Sequence, residues 1–346
     1  MKSIPSLLFD LGRPLLSRLD PETAHGLALN GLRLLHRLLP RYRVPDGRLA
    51  RNSLGLRFEN PLGLAAGCDK NGDYLDALGC LGFGHIEVGT VTPRPQRGGD
   101  KPRLFRFPDA GAVVNRMGFN NKGIDYLVAR LKRRSYGGIV GVSIGKNFDT
   151  PLARAEQDYL ICLRKAYACA DYFVINVSSP NTDGLRELQG EEGLARIAMA
   201  LLEERQHLAS STDRIVPILV KIAPDFSSAE LDALAKLILR LALDGVVAVN
   251  TTVDMTIVSG KLPVQVNGGG LSGRPLHGKS VETVRRLRAA LGPAFPIIGV
   301  GGISNGAQAL ETLRAGADLI QIYTGFIYRG PALIGEILEA LAEGSG

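Results

Sequence analysis

The run Asn176-Val177-Ser178-Ser179-Pro180-Asn181-Thr182 sets two serines and two amides directly behind the apolar stretch Tyr172-Phe173-Val174-Ile175. No histidine or acid stands beside the serines, so the usual activation of a hydroxyl by a neighbouring base is missing from this stretch. It is either a turn held by its own side-chain hydrogen bonds or a place where serine acts unusually. Elsewhere Lys70 follows Ala66-Gly67-Cys68-Asp69, and Lys221 ends the apolar run Ile218–Val220. Asn115, Asn181 and Asn250, with Thr251, add further amide and hydroxyl groups. An amide offers both a donor and an acceptor, which suits a planar ring bearing carbonyl and N–H groups. A lysine near such a ring suits a carboxylate, held as a point charge.

Two glycine-bearing loops follow apolar runs late in the chain: "GVGGISNG" at 299–306 and "IYTGFIYRG" at 322–330. Glycines let the backbone approach closely, and the helix starts behind them offer free N–H groups to a phosphate. A third loop, "GGGLSGRPL" at 268–276, suits a flat approach to a cofactor ring or phosphate. The GxGxxG dinucleotide spacing is absent from the late loops. The five histidines, at 25, 36, 85, 207 and 277, are too scattered for a metal site, and none is expected.

These residues need elements to bring them together. Short apolar runs at Leu62–Ala65, Gly84–Val88, Ile139–Ser143, Tyr172–Ile175, Ile218–Lys221, Gly245–Val249, Pro296–Val300 and Leu319–Ile322 read as strands. Helical patterns lie between them, such as Pro151–Ala168, Gly193–Leu208, Ser228–Ala242, Ser280–Ala290 and Ala307–Ala315. Strand and helix in alternation demand a parallel sheet, and eight repeats predict a closed (β/α)8 TIM barrel, of class α/β. The polar residues above all follow strand ends, which share one mouth in a barrel, so an enzyme is expected. Inserts are expected at 91–118 and 250–275, where proline, glycine and polar residues replace periodicity, with room for extra short strands or lids.

Ahead of the barrel, Ile4, Leu7, Leu8, Leu11, Leu15 and Leu19 recur at helical spacing. Asp20-Pro21-Glu22 then reads as the cap and first turn of a second helix ending near Pro40. Residues 1–43 hold seven Lys/Arg against three Asp/Glu, with Arg33, Arg37, Arg41 and Arg43 late in the segment. An amphipathic helical extension of this kind suits an anionic membrane surface, or caps the end of a barrel, or does both. We divide the chain into this extension, 1–43, and a barrel domain, 44–346.

The formal charge of +7 over 346 residues favours anionic ligands, cofactor phosphates or lipid. No compact Lys/Arg block is interleaved with aromatics, so nucleic acid is not expected. Cys68, Cys80, Cys162 and Cys169 lack CxxC spacing and read as reduced, structural thiols. Neither a signal peptide nor a spanning helix is expected.

Taken together, "AAGCDKNG" (65–72), "EVGTVTPRPQ" (87–96), "NRMGFNN" (115–121), "IGKN" (144–147), "NVSSPNT" (176–182), "NTT" (250–252), "GGLSGRPL" (269–276), "GVGGI" (299–303) and "QIYTG" (321–325) resemble the dihydroorotate dehydrogenases. The resemblance covers nearly the whole chain, and the helical pair is similar to that of the membrane-associated, quinone-using class. It implies FMN at the barrel mouth and oxidation of dihydroorotate to orotate in pyrimidine biosynthesis. It further implies ubiquinone or another quinone as electron acceptor and no obligate protein partner. With no targeting segment expected, the location expected is the cytoplasmic side of a bacterial cell inner membrane, a processed organellar protein being the alternative. Carried onto this chain, flavin contacts fall on Ala66, Thr90, Asn176, Lys221, Gly273, Gly302, Tyr323 and Thr324. Substrate contacts fall on Lys70, Asn115, Arg116, Met117, Gly118, Phe119, Asn176, Asn181, Asn250 and Thr251. Ser179 corresponds to the general base, where the soluble classes carry cysteine. His25 and Arg106 match positions near a quinone tunnel between the N-terminal helices, although His25 alone would read as a surface histidine.

Two flavin positions depart from the pattern. Ser143 stands where an asparagine is common, and Val249 where a threonine is usual. Serine has a shorter reach, and valine keeps the shape while dropping the hydroxyl. The competing readings are a soluble dehydrogenase reducing fumarate or NAD, a non-catalytic flavin or membrane scaffold, and a flavin barrel acting on an uncarboxylated pyrimidine. Ser179 and the extension speak against the first, the intact lysines and amides against the second, and Lys70 against the third.

Overall fold

The computed structural model describes residues 3–38, 47–258 and 268–344. The expected domain boundary at 43/44, the second helix's end near Pro40, Arg41 and Arg43, and part of the 250–275 insert lie outside them.

Eight parallel strands close into a barrel: β3 (Leu62–Leu64), β4 (His85–Val91), β7 (Ile139–Ile144), β8 (Tyr172–Asn176), β9 (Ile218–Ile222), β10 (Gly245–Ala248), β12 (Ile297–Val300) and β13 (Leu319–Ile322). All eight expected strands are present, and β13 pairs back onto β3 to seal the ring. The helices packed outside include α3 (Leu75–Gly79), α4 (Ile124–Lys132), α5 (Ala155–Ala166), α6 (Glu191–Thr212), α7 (Ser228–Arg240), α8 (His277–Leu291), α9 (Gly306–Arg314), α10 (Thr324–Arg329) and α11 (Ala332–Glu343). Ser227 starts α7 with a reciprocal capping box, its Oγ accepting from Glu230 N while Glu230 accepts from Ser227 N.

The period of two along each strand decides what faces inward. On β8, Phe173 and Ile175 pack outward against the helices, while Tyr172 and Val174 fill the barrel. Asn176 continues that inner face at the mouth. By the same alternation β4 turns His85 and Glu87 inward, β9 Leu219 and Lys221, and β13 Leu319 and Gln321. The interior is therefore apolar at its base and polar towards the strand C-termini.

A hairpin that the apolar pattern does not signal, β1 (Arg51–Ser53) with β2 (Leu56–Phe58), lies at the base. Its Phe58 is fully buried and packs edge-on to His85, which in turn meets Tyr172. The His85 ring fits only because Gly63 has no side chain: a Cβ there would lie 2.1 Å from His85 Nε2. Both His85 nitrogens are without a hydrogen-bond partner, and burial lowers the ring to about 3, so it is a neutral packing group.

The inserts do contain strands. β5 (Leu104–Phe107), β6 (Ala112–Asn115) and β11 (Gly270–Gly273) form an antiparallel sheet beside the mouth, in the order β11-β6-β5. Against it rest α1 (Ile4–Leu16) and α2 (Pro21–Leu35). Asp20 caps α2 as expected, accepting from Glu22 N and Thr23 N. The buried Arg103 guanidinium grips Glu22 through two bonds, of 2.6 and 3.1 Å, a geometry particular to arginine. Much of the outer face of the pair is apolar and solvent-facing: Leu11 is 80% exposed, Leu34 77% and Leu38 81%. No helix among the described residues is long and apolar enough to cross a membrane.

Emptying the barrel base gives a direct check on this packing. Phe58→Ala is expected to destabilise the protein by about 3–5 kcal/mol, read as a shift of the denaturant midpoint. Leu56→Ala, at a half-buried position two residues earlier, should cost clearly less.

Candidate active site

The strand C-termini and the small sheet line a cavity that is partly open to solvent. Nearly all the residues expected at a site line it. From β3 and its loop come Ala66 and Lys70, from β4 Thr90, and from the end of β6 and the segment after it Asn115, Met117, Gly118 and Phe119. The end of β8 and its loop bring Asn176, Ser179 and Asn181; β9 brings Lys221, and the loop after β10 Val249, Asn250 and Thr251. Gly273, Gly302, Tyr323 and Thr324 complete the opposite wall.

The amides are interlocked. Asn181 Nδ2 donates to Asn115 Oδ1 at 3.0 Å, and Asn115 Nδ2 donates to the Gly270 carbonyl at 3.2 Å. Asn176 Nδ2 donates to Thr90 Oγ1 at 2.7 Å, and Asn250 Nδ2 to Ser178 Oγ at 2.9 Å. Bonds of this kind remove rotamer freedom before a ligand arrives, so less is lost on binding. The opening run is thus a hydrogen-bonded turn, and that turn forms a wall of the cavity. Ser179 is 6% exposed and its Oγ accepts from Asn181 N at 3.3 Å.

Lys70 donates to the Gly67 carbonyl at 3.0 Å and keeps its remaining exposure towards the cavity. Desolvation lowers its pKa below that of a free lysine. The buried Asp69 beside it accepts from Asp73 N and Tyr74 N, which holds the loop that carries Lys70. Burial pushes the Asp69 carboxyl up to about 6 despite those bonds. Across the cavity, Lys221 faces Glu87 at 3.5 Å, and Gln321 Nε2 donates to Glu87 Oε2 at 2.8 Å. Glu87 is fully buried below the mouth, so it serves as counter-ion to a lysine that a ligand above would also meet. The sequence reading passed over Glu87 and Gln321; a charged or amide side chain at an inward position of an apolar run is the signal that marks them.

On the phosphate side, Gly302 has φ 74°, and a Cβ would lie 2.5 Å from His277 N. Gly273 has φ 102°, and a Cβ would lie 2.2 Å from the Gly111 carbonyl. Both are conformations and spaces that other residues do not occupy without strain. Among the described residues, the amides of Gly302, Ile303 and Thr324 have no protein acceptor. Such donors, glycine-walled and lining one cavity, fit a phosphate group, and the polar mouth with Lys221 fits a flavin ring.

Four expected site residues do not line the cavity. Ser143 is fully buried behind Thr90, with Oγ to Oγ1 at 2.9 Å, because its side chain is too short to reach past the threonine. Arg116 turns away to lie over the Phe105 ring, 5.1 Å from its centroid. His25 donates from Nε2 to the Cys68 carbonyl at 2.9 Å, since a carbonyl only accepts. Burial, and then the Lys70 charge, lowers the His25 ring to about 4, so it is neutral. The Arg106 guanidinium donates to the carbonyls of Leu16, Ser17 and Leu19, at and just beyond the C-terminus of α1. His25 and Arg106 therefore join the helical pair to the site's outer walls. Leu104, two residues before Arg106 and on the same strand face, does line the cavity.

Comparison with known proteins extends these observations. Residues 48–344 match the family described as Dihydroorotate dehydrogenase. A Nitrosospira multiformis protein named Dihydroorotate dehydrogenase (quinone) is 52% identical over 341 residues, covering 98% of this chain and 97% of the relative. A Pseudomonas aeruginosa protein of the same name is 51% identical over 337 residues, covering 97% and 98%. The crystal structure of ligand-free DHODH from Eimeria tenella superposes with a TM-score of 0.86 at 37% identity, covering 94% of each chain. A structure of the Eimeria tenella protein in complex with ferulenol gives 0.85 at 36% identity, covering 94% and 91%.

The lowered Lys70 pKa has a measurable sign. A carboxylate ligand such as orotate should bind more weakly as pH rises, with the loss beginning below the range of a free lysine. Calorimetric titrations from neutral to alkaline pH test this. Lys70→Arg, whose guanidinium stays charged throughout, should remove that part of the dependence, and Lys70→Met should cost about tenfold or more in Kd at neutral pH.

Proposed function

Because the chain belongs to the dihydroorotate dehydrogenase family, we propose that its barrel mouth holds FMN and dihydroorotate together, with Ser179 as the base. The enzyme oxidises dihydroorotate to orotate, with a quinone as electron acceptor, in pyrimidine biosynthesis. The observation that carries the site assignment is convergence: Lys70, Lys221, Ser179 and Asn115, Asn176, Asn181 and Asn250 come from separate strands and loops yet line one cavity.

The residues divide the work. Gly302, Gly273 and Thr324 hold the FMN phosphate by close backbone approach, and Ala66, Thr90, Asn176, Val249 and Tyr323 wall its ring. Ser143 acts on the ring through Thr90. Bound FMN supplies a two-electron acceptor for the hydride leaving C6 of the substrate. Lys221 would offset the negative charge that grows on the ring on reduction. Lys70 pairs with the substrate carboxylate, and Asn115, Asn181, Asn250 and Thr251, with the Met117–Phe119 backbone, meet the pyrimidine carbonyls and N–H groups. Arg116 supports that segment from behind through Phe105. Ser179 removes the proton from C5. It has no acid or histidine beside it, so orientation and passage of the proton onward to water must supply what basicity does not.

Residues 1–43 form the membrane and quinone-access extension, and 44–346 the catalytic domain. The exposed leucines of α1 and α2, with Arg13, Arg33 and Arg37 near them, support a peripheral seat on the cytoplasmic face of the inner membrane. Quinone reaches the flavin between these helices and β5, where His25 acts as a neutral hydrogen-bonding group and Arg106 holds the end of α1.

The decisive experiment mixes purified protein with dihydroorotate under anaerobic conditions, follows the flavin absorbance, and then adds a ubiquinone analogue. Bleaching followed by recovery is expected. In Ser179→Ala the bleaching should slow by about 10²-fold or more, with recovery by quinone unchanged. Equal rates in the variant and the parent would remove Ser179 from the chemistry. Leu11→Glu with Leu15→Glu should abolish flotation with anionic vesicles and leave bleaching untouched; retained flotation would end the membrane assignment.

A further inference from the structure

Among the described residues, Ser179 has no partner that would hold its hydroxyl in place other than the backbone N–H of Asn181, 3.3 Å away. Its position must come from the backbone. The Ser178 carbonyl belongs to the same planar peptide unit as the Ser179 N–H. Whatever grips that oxygen therefore sets the plane from which the Ser179 Cα–Cβ bond departs. The group that grips it is Arg186, on the 3-10 turn Leu185–Gln189, whose Nε donates to Ser178 O at 3.1 Å.

The same guanidinium donates from one terminal nitrogen to the Thr251 carbonyl at 2.8 Å, and from the other to Asp225 Oδ2 at 2.8 Å. Thr251 O lies in the peptide plane of Thr252, whose N–H pairs with Leu271 O on β11. Asp225 also accepts from Thr252 Oγ1, from Val253 N at 3.2 Å and from Lys279 Nζ at 3.0 Å. These bonds outweigh its burial and hold its carboxyl below the usual range. One rigid fork thus spans the loops after β8, β9 and β10. Lysine has no such fork and cannot meet three acceptors in three fixed directions.

We propose that Arg186, anchored by Asp225, is the positioning residue that fixes Ser179 relative to the substrate-binding loop at Asn250–Thr251. It touches neither substrate nor flavin; it acts through two backbone carbonyls. The proposal rests on Ser179 being the base, and the experiment separates the two ideas.

Flavin content, anaerobic reduction by dihydroorotate and reoxidation by a quinone analogue are measured for Arg186→Ala, Arg186→Lys, Ser179→Ala and the Arg186→Ala/Ser179→Ala double variant. A misplaced reacting group costs about a hundredfold, so Arg186→Ala should lose about that in reduction, with reoxidation and flavin content unchanged. Added guanidinium ion should restore part of the lost rate, and Arg186→Lys should recover less than rescued Arg186→Ala. In the Ser179→Ala background the Arg186 change should add little, as expected for residues acting in series. Full additivity, equal losses in both half-reactions, or absence of guanidinium rescue would overturn the role. Lys279 still pairs with Asp225 in Arg186→Ala, and Arg186→Lys keeps the charge, so a thermal melt of each shows whether a folded protein is being read. Unimpaired reduction in Ser179→Ala alone would instead defeat the assignment of the base.

Discussion

Closure of the eight-stranded ring is the constraint on which everything at the mouth depends. A strand paired on both sides cannot slide without breaking two ladders, so its register, and with it the face each side chain presents, is settled. That is why a bare alternation of residues places Glu87, Asn176, Lys221 and Gln321 inside at the polar end, and His85, Tyr172 and Leu219 inside nearer the base. The apolar floor has an electrostatic effect as well. It keeps water from beneath the Glu87–Lys221 pair, so the pair faces a ligand from a low-dielectric support.

The same closure made the barrel legible from the chain. Strands buried on both faces are continuous apolar runs, and all eight could be read, together with the polar residues that follow them. What escaped notice was short or exceptional. The hairpin Arg51–Phe58 has three residues per strand and alternates weakly, and it earns its place through one phenylalanine. The β5–β6–β11 sheet was anticipated as inserts with room for short strands, but not as one sheet, because its strands are interrupted by arginine, serine and glycine.

At the site, the residues that touch the cavity were largely anticipated, through strand-end position and through family resemblance together. Those that work at one remove were not. Arg186 sits in a polar stretch after a turn, where an arginine is ordinarily a solvated surface residue, and only the fold shows that its guanidinium reaches three loops. Ser143 shows the limit of a motif in another way: the fold turns its short side chain onto Thr90, behind the cavity wall. Side-chain length, which a motif does not weigh, decides that contact.

The contact between Gly63 and His85 carries a consequence for how this barrel can diverge. The imidazole lies in the volume that any other residue at 63 would claim, and it makes no hydrogen bond that would tie it to histidine chemistry. The two positions therefore form a single inherited unit of volume. Another flat ring can replace His85 while glycine stands opposite, but a side chain at 63 can be admitted only after the ring has gone. Drift at the floor of this barrel is in that sense ordered: the order of substitutions is set by which neighbour must first make room.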